Sequence, residues 1–523
     1  MVHGRGRHMM RRAGAMIGKP LGFILVYVLI WAGLVLLFAA LGIRHFWGEI
    51  SVGQMRLNLV TVNPDGGGGS IVWIGILLVG VAPLLITGTI AAIHFRRRRA
   101  RRTRRTTGDV AVPRRSRLAR RTAATAMVTA VVIGGTTAFA STVGLADYIE
   151  ASISDYDIAD YYVEPTVISA EDKRNLVLIY LESGEATLED EQLFGKDAFA
   201  PLKEVTRASD GWQSVENFKQ YEGGGWTMSG LVATQCGVPL KATGSGSDSG
   251  SDKPSDDVET YLGGITCLGD ILADHGYTST FLGGASSSFA AKDTFLRNHG
   301  YSSVKGLTQW RAAGEPENSF RPDWGLSDER LLANAKLEVD ALHAEAEETG
   351  TPFNLSVLTL DTHEPVYVYD YCDVDTEYEV TSVYSCSMAV VADFVEHLEQ
   401  QGYLEDTAVV IMGDHLMNVH AGDALADQHS RYPNRSIFNR IWIPGSSTET
   451  ALRSDIDQVN MYPTILEAAG FTVADRSAGI GVSALTQDIP ANSAQALEPT
   501  FYGELIRSLS PRFFERAWAG ANL

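Results

Sequence analysis

Three stretches near the front of the chain, about residues 21–43, 71–94 and 122–145, run without an Asp, Glu, Lys or Arg. Each is long enough to cross a hydrocarbon layer roughly 30 Å thick as a helix. The third is rich in Ala, Thr, Val and Gly and is the least apolar. Beyond residue 173 the pattern changes to short apolar runs separated by helical periodicity. NLVLIYLE (175–182), STFLGG (279–284), FNLSVLTL (353–360) and TAVVIMGDH (407–415) read as strands. SDERLLANAKLEVDALHAEAEE (327–348) and SMAVVADFVEHLEQQ (387–401) read as helices. Alternation of this kind predicts an α/β fold with a mainly parallel central sheet covered by helices on both faces. ATGSGSDSGSDKPSDD (242–257) reads as a loop. The predicted organisation is a membrane domain at 1–146, a linker at 147–172, a body at 173–485 and a C-terminal flank at 486–523.

Charge sharpens this division. Residues 1–143 carry a balance of +17 and the remainder −37, which together make the −20 of the whole chain. Thirteen arginines fall in 96–121, between the second and third apolar stretches. Basic loops stay in the cytoplasm, so three spans place the body outside the cell and two would leave it inside. The first stretch is longer than a signal peptide and a second span follows it, so it is read as retained. An acidic body excludes nucleic acid as a partner, since that needs a basic surface.

All four cysteines, Cys236, Cys267, Cys372 and Cys386, follow the last apolar stretch. An even number there suits disulfides in an oxidising compartment. Of three connectivities, closeness along the chain favours Cys236–Cys267 and Cys372–Cys386.

In open α/β sheets, ligands bind beyond the carboxyl ends of the strands. Glu182 ends the first strand, Asp361 and His363 follow the third, and Asp414 and His415 end the fourth. Each alone also reads as a surface or turn residue, and it is their shared position that points to a site. YEGGGWTMSGLVATQCGVPL (221–240) then sets Thr227 after three glycines, at the mouth of a predicted helix. Thr227 reads equally as a helix N-cap or as a nucleophile. A threonine hydroxyl attacks only when a base or a metal activates it. Glu182, Thr227, Asp414 and His415 form a ligand set suited to one divalent ion, manganese or zinc. The helix N-terminus beside Thr227 favours an anion such as a phosphodiester.

With these residues assembled, the chain resembles the alkaline phosphatase/sulfatase superfamily. Within it, the likeness is to membrane-anchored phosphoglycerol transferases, such as lipoteichoic acid synthase and the periplasmic-glucan phosphoglycerol transferase. NLVLIYLES, GGGWTMSGLVATQCGVPL, CLGDIL, FAAKDTFLRNHGY, WGLSDERLL, LTLDTHEP, VVIMGDH and VNMYPTILEAAG carry it, over roughly 173–475. The resemblance implies Thr227 as nucleophile, Mn2+ on Glu182, Thr227, Asp414 and His415, and His363 near the head group and available for proton transfer. It further implies Lys292, in FAAKD, as a grip on phosphate where the family has an arginine, and Trp226 beside the substrate. Ala290 and Gly283 stand where the family has an aromatic residue and a histidine, which departs from its head-group contacts. The implied donor is phosphatidylglycerol and the implied acceptor a glycan or polyglycerol phosphate. A phosphoethanolamine transferase, a phosphodiesterase or sulfatase-like hydrolase, and a non-catalytic sensor are the alternative readings.

Overall fold

The computed structural model describes residues 5–46, 55, 73–106, 114–241, 260–322, 324–419, 425–429, 431–432, 434–446 and 451–518. The predicted loop 242–257 lies outside the described residues, as do residues 71 and 72. The chain divides into two units, the first built from residues up to 146 and the second mainly from Asp147 onward.

In the first unit, three helices are long and apolar enough to cross a membrane, at Phe23–His45, Trp73–Ala100 and Thr122–Thr142. Their apolar side chains are largely exposed, as expected of surfaces that face lipid rather than a protein core. Two boundaries differ from those predicted. The third helix stops at Thr142, because Gly144 takes a left-handed φ of 57° and a separate helix begins at Leu145. The arginine-rich stretch predicted as a loop continues the second helix to Thr106 and is helical again from Arg114. Arginine is a good helix former, so the run does not break a helix that enters it.

The second unit is built on a six-stranded sheet. Its strands follow β1 (Val167–Ser169) and are β2 (Asn175–Leu181), β3 (Thr278–Gly283), β4 (Ser303–Lys305), β5 (Phe353–Leu358), β6 (Thr407–Gly413) and β7 (Asn439–Trp442). The order is β4-β3-β5-β2-β6-β7, parallel throughout except for the antiparallel pair β6–β7. Strands β4 and β7 were not read from the sequence; they are three and four residues long. Alternation decides where each side chain of β2 goes. Leu176, Leu178 and Tyr180 enter one core, and Val177, Ile179 and Leu181 enter the other. Both faces are covered, so the strand reads as an unbroken apolar run.

The predicted linker and flank both belong to this body. In the linker, Ile158 is fully buried and β1 pairs with β8 (Thr472–Val473). A last hairpin joins β9 (Ser477–Ala478) to β10 (Gly481–Val482). In the flank, Leu505, Ile506, Phe513 and Phe514 sit in the same core as Leu176 and Tyr180. Short amphipathic segments such as these carry too little periodicity to show burial in advance.

Candidate active site

The carboxyl ends of β2 and β6 are pressed together. A Cβ on Gly413 would lie 2.2 Å from the Gly184 carbonyl oxygen, so only glycine fits there. This contact sets Glu182, just after β2, beside Asp414 and His415, just after β6. The three are buried, and one ligand atom from each lies within 4.8 Å of the others.

Backbone and side-chain bonds aim these groups. Asp414 Oδ1 accepts from the Ser183 and His415 amides, both at 2.8 Å, while Oδ2 has no hydrogen-bond partner. His415 Nδ1 lies 2.7 Å from the Leu416 carbonyl, which can only accept, so Nδ1 carries the hydrogen. Its Nε2 then faces Glu182 Oε1 at 3.5 Å and Asp414 Oδ2 at 3.7 Å. Glu182 Oε1 also accepts from Ser183 Oγ at 2.9 Å, and the Glu182 amide donates to Thr359 Oγ1 at 2.9 Å.

Thr227 comes from a different part of the chain. It is the first residue of the helix Thr227–Cys236, and Trp226 occupies the N-cap position in its place. Thr227 is therefore not the capping residue. Its Oγ1 donates to Glu182 Oε2 at 3.3 Å. Gly230, one turn on, would place a Cβ 2.0 Å from the Asp414 carbonyl oxygen, so the helix bears directly on the end of β6. The far end of the helix is tied down by the Cys236–Cys267 disulfide, and Cys372–Cys386 forms the second.

Burial and charge act together on the cluster. Burial and the Glu182 charge both push Asp414 above the usual carboxylate range. Burial disfavours a charged His415, yet Asp414 and Glu182 outweigh it and raise its pKa to about 9. An orphaned carboxylate oxygen, a second carboxylate and an inward imidazole nitrogen converge on one point. Two carboxylates, one imidazole and a hydroxyl fit a divalent ion, which would be held by Glu182, Asp414, His415 and Thr227. Nothing in this donor set separates manganese from zinc.

The remaining candidates fall into two groups. Lys292, buried at the start of the helix Lys292–Asn298, is near enough to feel Glu182 and Asp414. Burial pulls its pKa down against their attraction. Ala290 and Ala291 ahead of it take left-handed φ values of 54° and 55°, a strained turn for residues bearing a Cβ. His363 Nδ1 lies 2.7 Å from the Glu364 carbonyl, which leaves Nε2 free for proton exchange. Burial lowers the His363 pKa while Glu182 pulls it up. Trp226 packs half-buried against the core, and its carbonyl accepts from the Gly230 amide at 3.1 Å.

Asp361 is not with the ligands. It is buried against Asp328, its Oδ2 accepting from the Asp328 amide at 3.1 Å and from the Tyr371 hydroxyl. Sequence reasoning missed Arg321, whose guanidinium donates to the His363 carbonyl at 3.0 Å and to that of Pro365, and so supports the loop that carries His363. It also missed Trp324, whose ring lies 4.2 Å from that of His363. Neither sits at a strand end, so no positional signal marked them.

This arrangement belongs to a known class: the sulfatase family pattern matches residues 174–471, and the chain belongs to that family. Among curated proteins it is similar to phosphoglycerol transferase I of Salmonella paratyphi B, at 31% identity over 382 residues, covering 70% of this chain and 45% of that protein. The chain thus spans less than half the length of the curated relatives it matches. Among solved structures, it is similar to an alkaline phosphatase superfamily protein from Vibrio parahaemolyticus, at 20% identity and a TM-score of 0.47, over 67% of this chain and 79% of that one. The lipoteichoic acid synthase LtaP from Listeria monocytogenes is also similar, at 18% identity and a TM-score of 0.46, over 65% and 81%.

Proposed function

We propose that this chain is a membrane-anchored phosphoglycerol transferase. It moves phosphoglycerol from phosphatidylglycerol to a hydroxyl of a glycan or polyglycerol phosphate acceptor outside the cell. The observation that carries this reading is the Thr227 hydroxyl, set at a helix N-terminus 3.3 Å from Glu182 and so beside the three metal-ligating side chains Glu182, Asp414 and His415. The phosphoglycerol transferase relatives support the choice of group moved. In this reading the three candidate spans keep the arginine-rich segment inside and the body outside the cell membrane, and the two disulfides support that side.

The reaction runs in two displacements. Thr227 Oγ1 attacks phosphorus as its proton leaves along the hydrogen bond toward Glu182. The P–O bond to diacylglycerol breaks, and a glycerophospho-threonine remains. An acceptor hydroxyl then attacks the same phosphorus and releases Thr227. His363, as imidazolium, gives its Nε2 proton to the leaving alkoxide and then, neutral, takes one from the acceptor hydroxyl, while the proton held at Glu182 returns to Thr227 Oγ1 as it leaves. Lys292 and the N–H groups at the start of the helix Thr227–Cys236 face the phosphoryl oxygens and offset their charge. A divalent ion, manganese in this reading, lowers the proton affinity of the threonine hydroxyl and adds to that charge compensation. Trp226 borders the head group.

Incubation with phosphatidylglycerol and no acceptor, followed by mass spectrometry of the tryptic peptide, tests the proposal. A glycerophosphate adduct on Thr227, absent from Thr227→Ala, is expected. A phosphoethanolamine adduct from a phosphatidylethanolamine donor would reassign the group moved. Diacylglycerol release by Thr227→Ala at the parent rate would overturn the nucleophile.

A further inference from the structure

Asp414 is gripped through its backbone as well as its side chain. Its carbonyl oxygen accepts from Gln458 Nε2 at 2.6 Å, and Oε1 of the same amide accepts from the Tyr221 N–H at 3.2 Å. Gln458 is fully buried in the turn Gln458–Asn460, which leads into the helix Met461–Ala468. A single side chain therefore joins the end of β6 to the segment 221–226 that delivers Thr227. Gln220 makes a second join, its Oε1 accepting from the Leu416 N–H at 2.8 Å. The carbonyl of Leu416 is the one that orients His415.

The two segments, 220–227 and 414–416, pair with each other in no strand ladder among the described residues. Their backbone groups need partners from elsewhere when buried. A side chain that donates to one and accepts from the other needs both functions, and an amide supplies them from two separate atoms. A carboxylate at 458 would set an acceptor against the Asp414 carbonyl, and an apolar residue would leave both groups unpaired.

We propose that Gln458 and Gln220 are positioning residues that set the separation between Thr227 and the Asp414–His415 pair, and through it the affinity of the site for a divalent ion. The inference rests on the reading of Thr227 and its three neighbours as one site. Metal-stripped full-length protein in detergent is titrated with manganese alone, and turnover and melting temperature are measured alongside. Gln458→Met and Gln220→Met should each weaken manganese binding by about tenfold or more, the range seen when groups supporting metal ligands are removed. Their kcat should fall while KM for the lipid donor stays near the parent value. Val459→Ala, buried in the same turn but with no polar side-chain atom to bond the Asp414 carbonyl or the Tyr221 amide, should lower the melting temperature without moving manganese affinity. Should Gln458→Met fail to fold, the partly exposed Gln220→Met decides the matter alone. Parent-like manganese binding and kcat in the methionine variants overturn the proposal. So does an equal loss of affinity in Val459→Ala. Turnover by Thr227→Ala would instead overturn the functional reading, while the manganese titration still judges the glutamines.

Discussion

Among the described residues, two clusters in the body bring three metal-ligating side chains together, Glu182–Asp414–His415 and Cys267–Asp270–His299, each with ligand atoms within 4.8 Å of one another. They differ in what those atoms already hold. In the second, Cys267 Sγ is bonded to Cys236. Asp270 Oδ2 accepts from the Cys267 amide at 2.8 Å and lies 2.6 Å from His299 Nδ1, and His299 Nε2 lies 3.0 Å from the Tyr261 carbonyl. Every group there is committed to holding the turn before the helix Leu268–Asp274. In the first cluster one carboxylate oxygen is held by two amides, so that its twin points inward with no partner. Closeness of ligand types is therefore a weak sign of a site. Bonding capacity left open on several converging groups is what separates the first cluster from the second.

Substitutions should separate the two clusters. Asp414→Asn or Glu182→Gln is expected to lower turnover on the order of 10³-fold, comparable to losing a principal source of transition-state stabilisation. Either change should also abolish the rise in melting temperature on adding manganese, which for the parent corresponds to about 2.7 kcal/mol at a hundred times Kd. Asp270→Asn should keep both turnover per folded molecule and the manganese response. A lost manganese response in Asp270→Asn would erase the distinction.

The next effect is on stability. Replacing both Cys236 and Cys267 by Ala opens a link with a sequence separation of 31 and should cost about 2–4 kcal/mol in urea unfolding. Turnover well below the melting temperature should persist, since this bond anchors the far end of the helix Thr227–Cys236 and not its reacting end. Asp270→Asn should cost less, about 1–3 kcal/mol, by leaving the Cys267 amide and His299 imperfectly paired.

A buried pair of acids, Asp328 and Asp361, makes stability depend on pH. Burial outweighs the hydrogen bonds from Ser387, Leu360 and Asp361 and raises Asp328 to about 6. The folded state then holds a proton that the unfolded chain has released between about pH 4 and pH 6. Stability should fall as pH rises through that window, by up to about 3 kcal/mol. Asp328→Asn should flatten that slope in a series of thermal melts. An unchanged slope would assign it to other groups.

Much of the body was legible in its apolar runs. Strands β2, β3, β5 and β6 are central and covered on both faces, so burial is written along their whole length. Strands β4 and β7 are short edge strands whose pairing comes from neighbours rather than from their own pattern. Glu182, Asp414 and His415 were visible because strand ends in a parallel sheet converge. Asp361 had the same positional claim and was taken instead into a buried pair with Asp328, because the choice between the two roles depends on which helix packs over the strand end. Gln220, Gln458 and Arg321 lie outside any strand end and left no mark, and Trp324 was visible only as the first residue of WGLSDERLL, with no role attached.

The sequence by itself determined which segments are apolar enough to leave water, which alternate as buried strands, and which side chains have the chemistry to ligate or attack. Those are properties of residue type and spacing along one chain. Tertiary structure alone decided which oxygen of Asp414 stays free, that Cys267 and His299 are closed to a cation, and that Thr227 meets Glu182. Each of these depends on the direction of a single bond, set by partners tens to hundreds of residues away. Local pattern carries no information about direction at that distance.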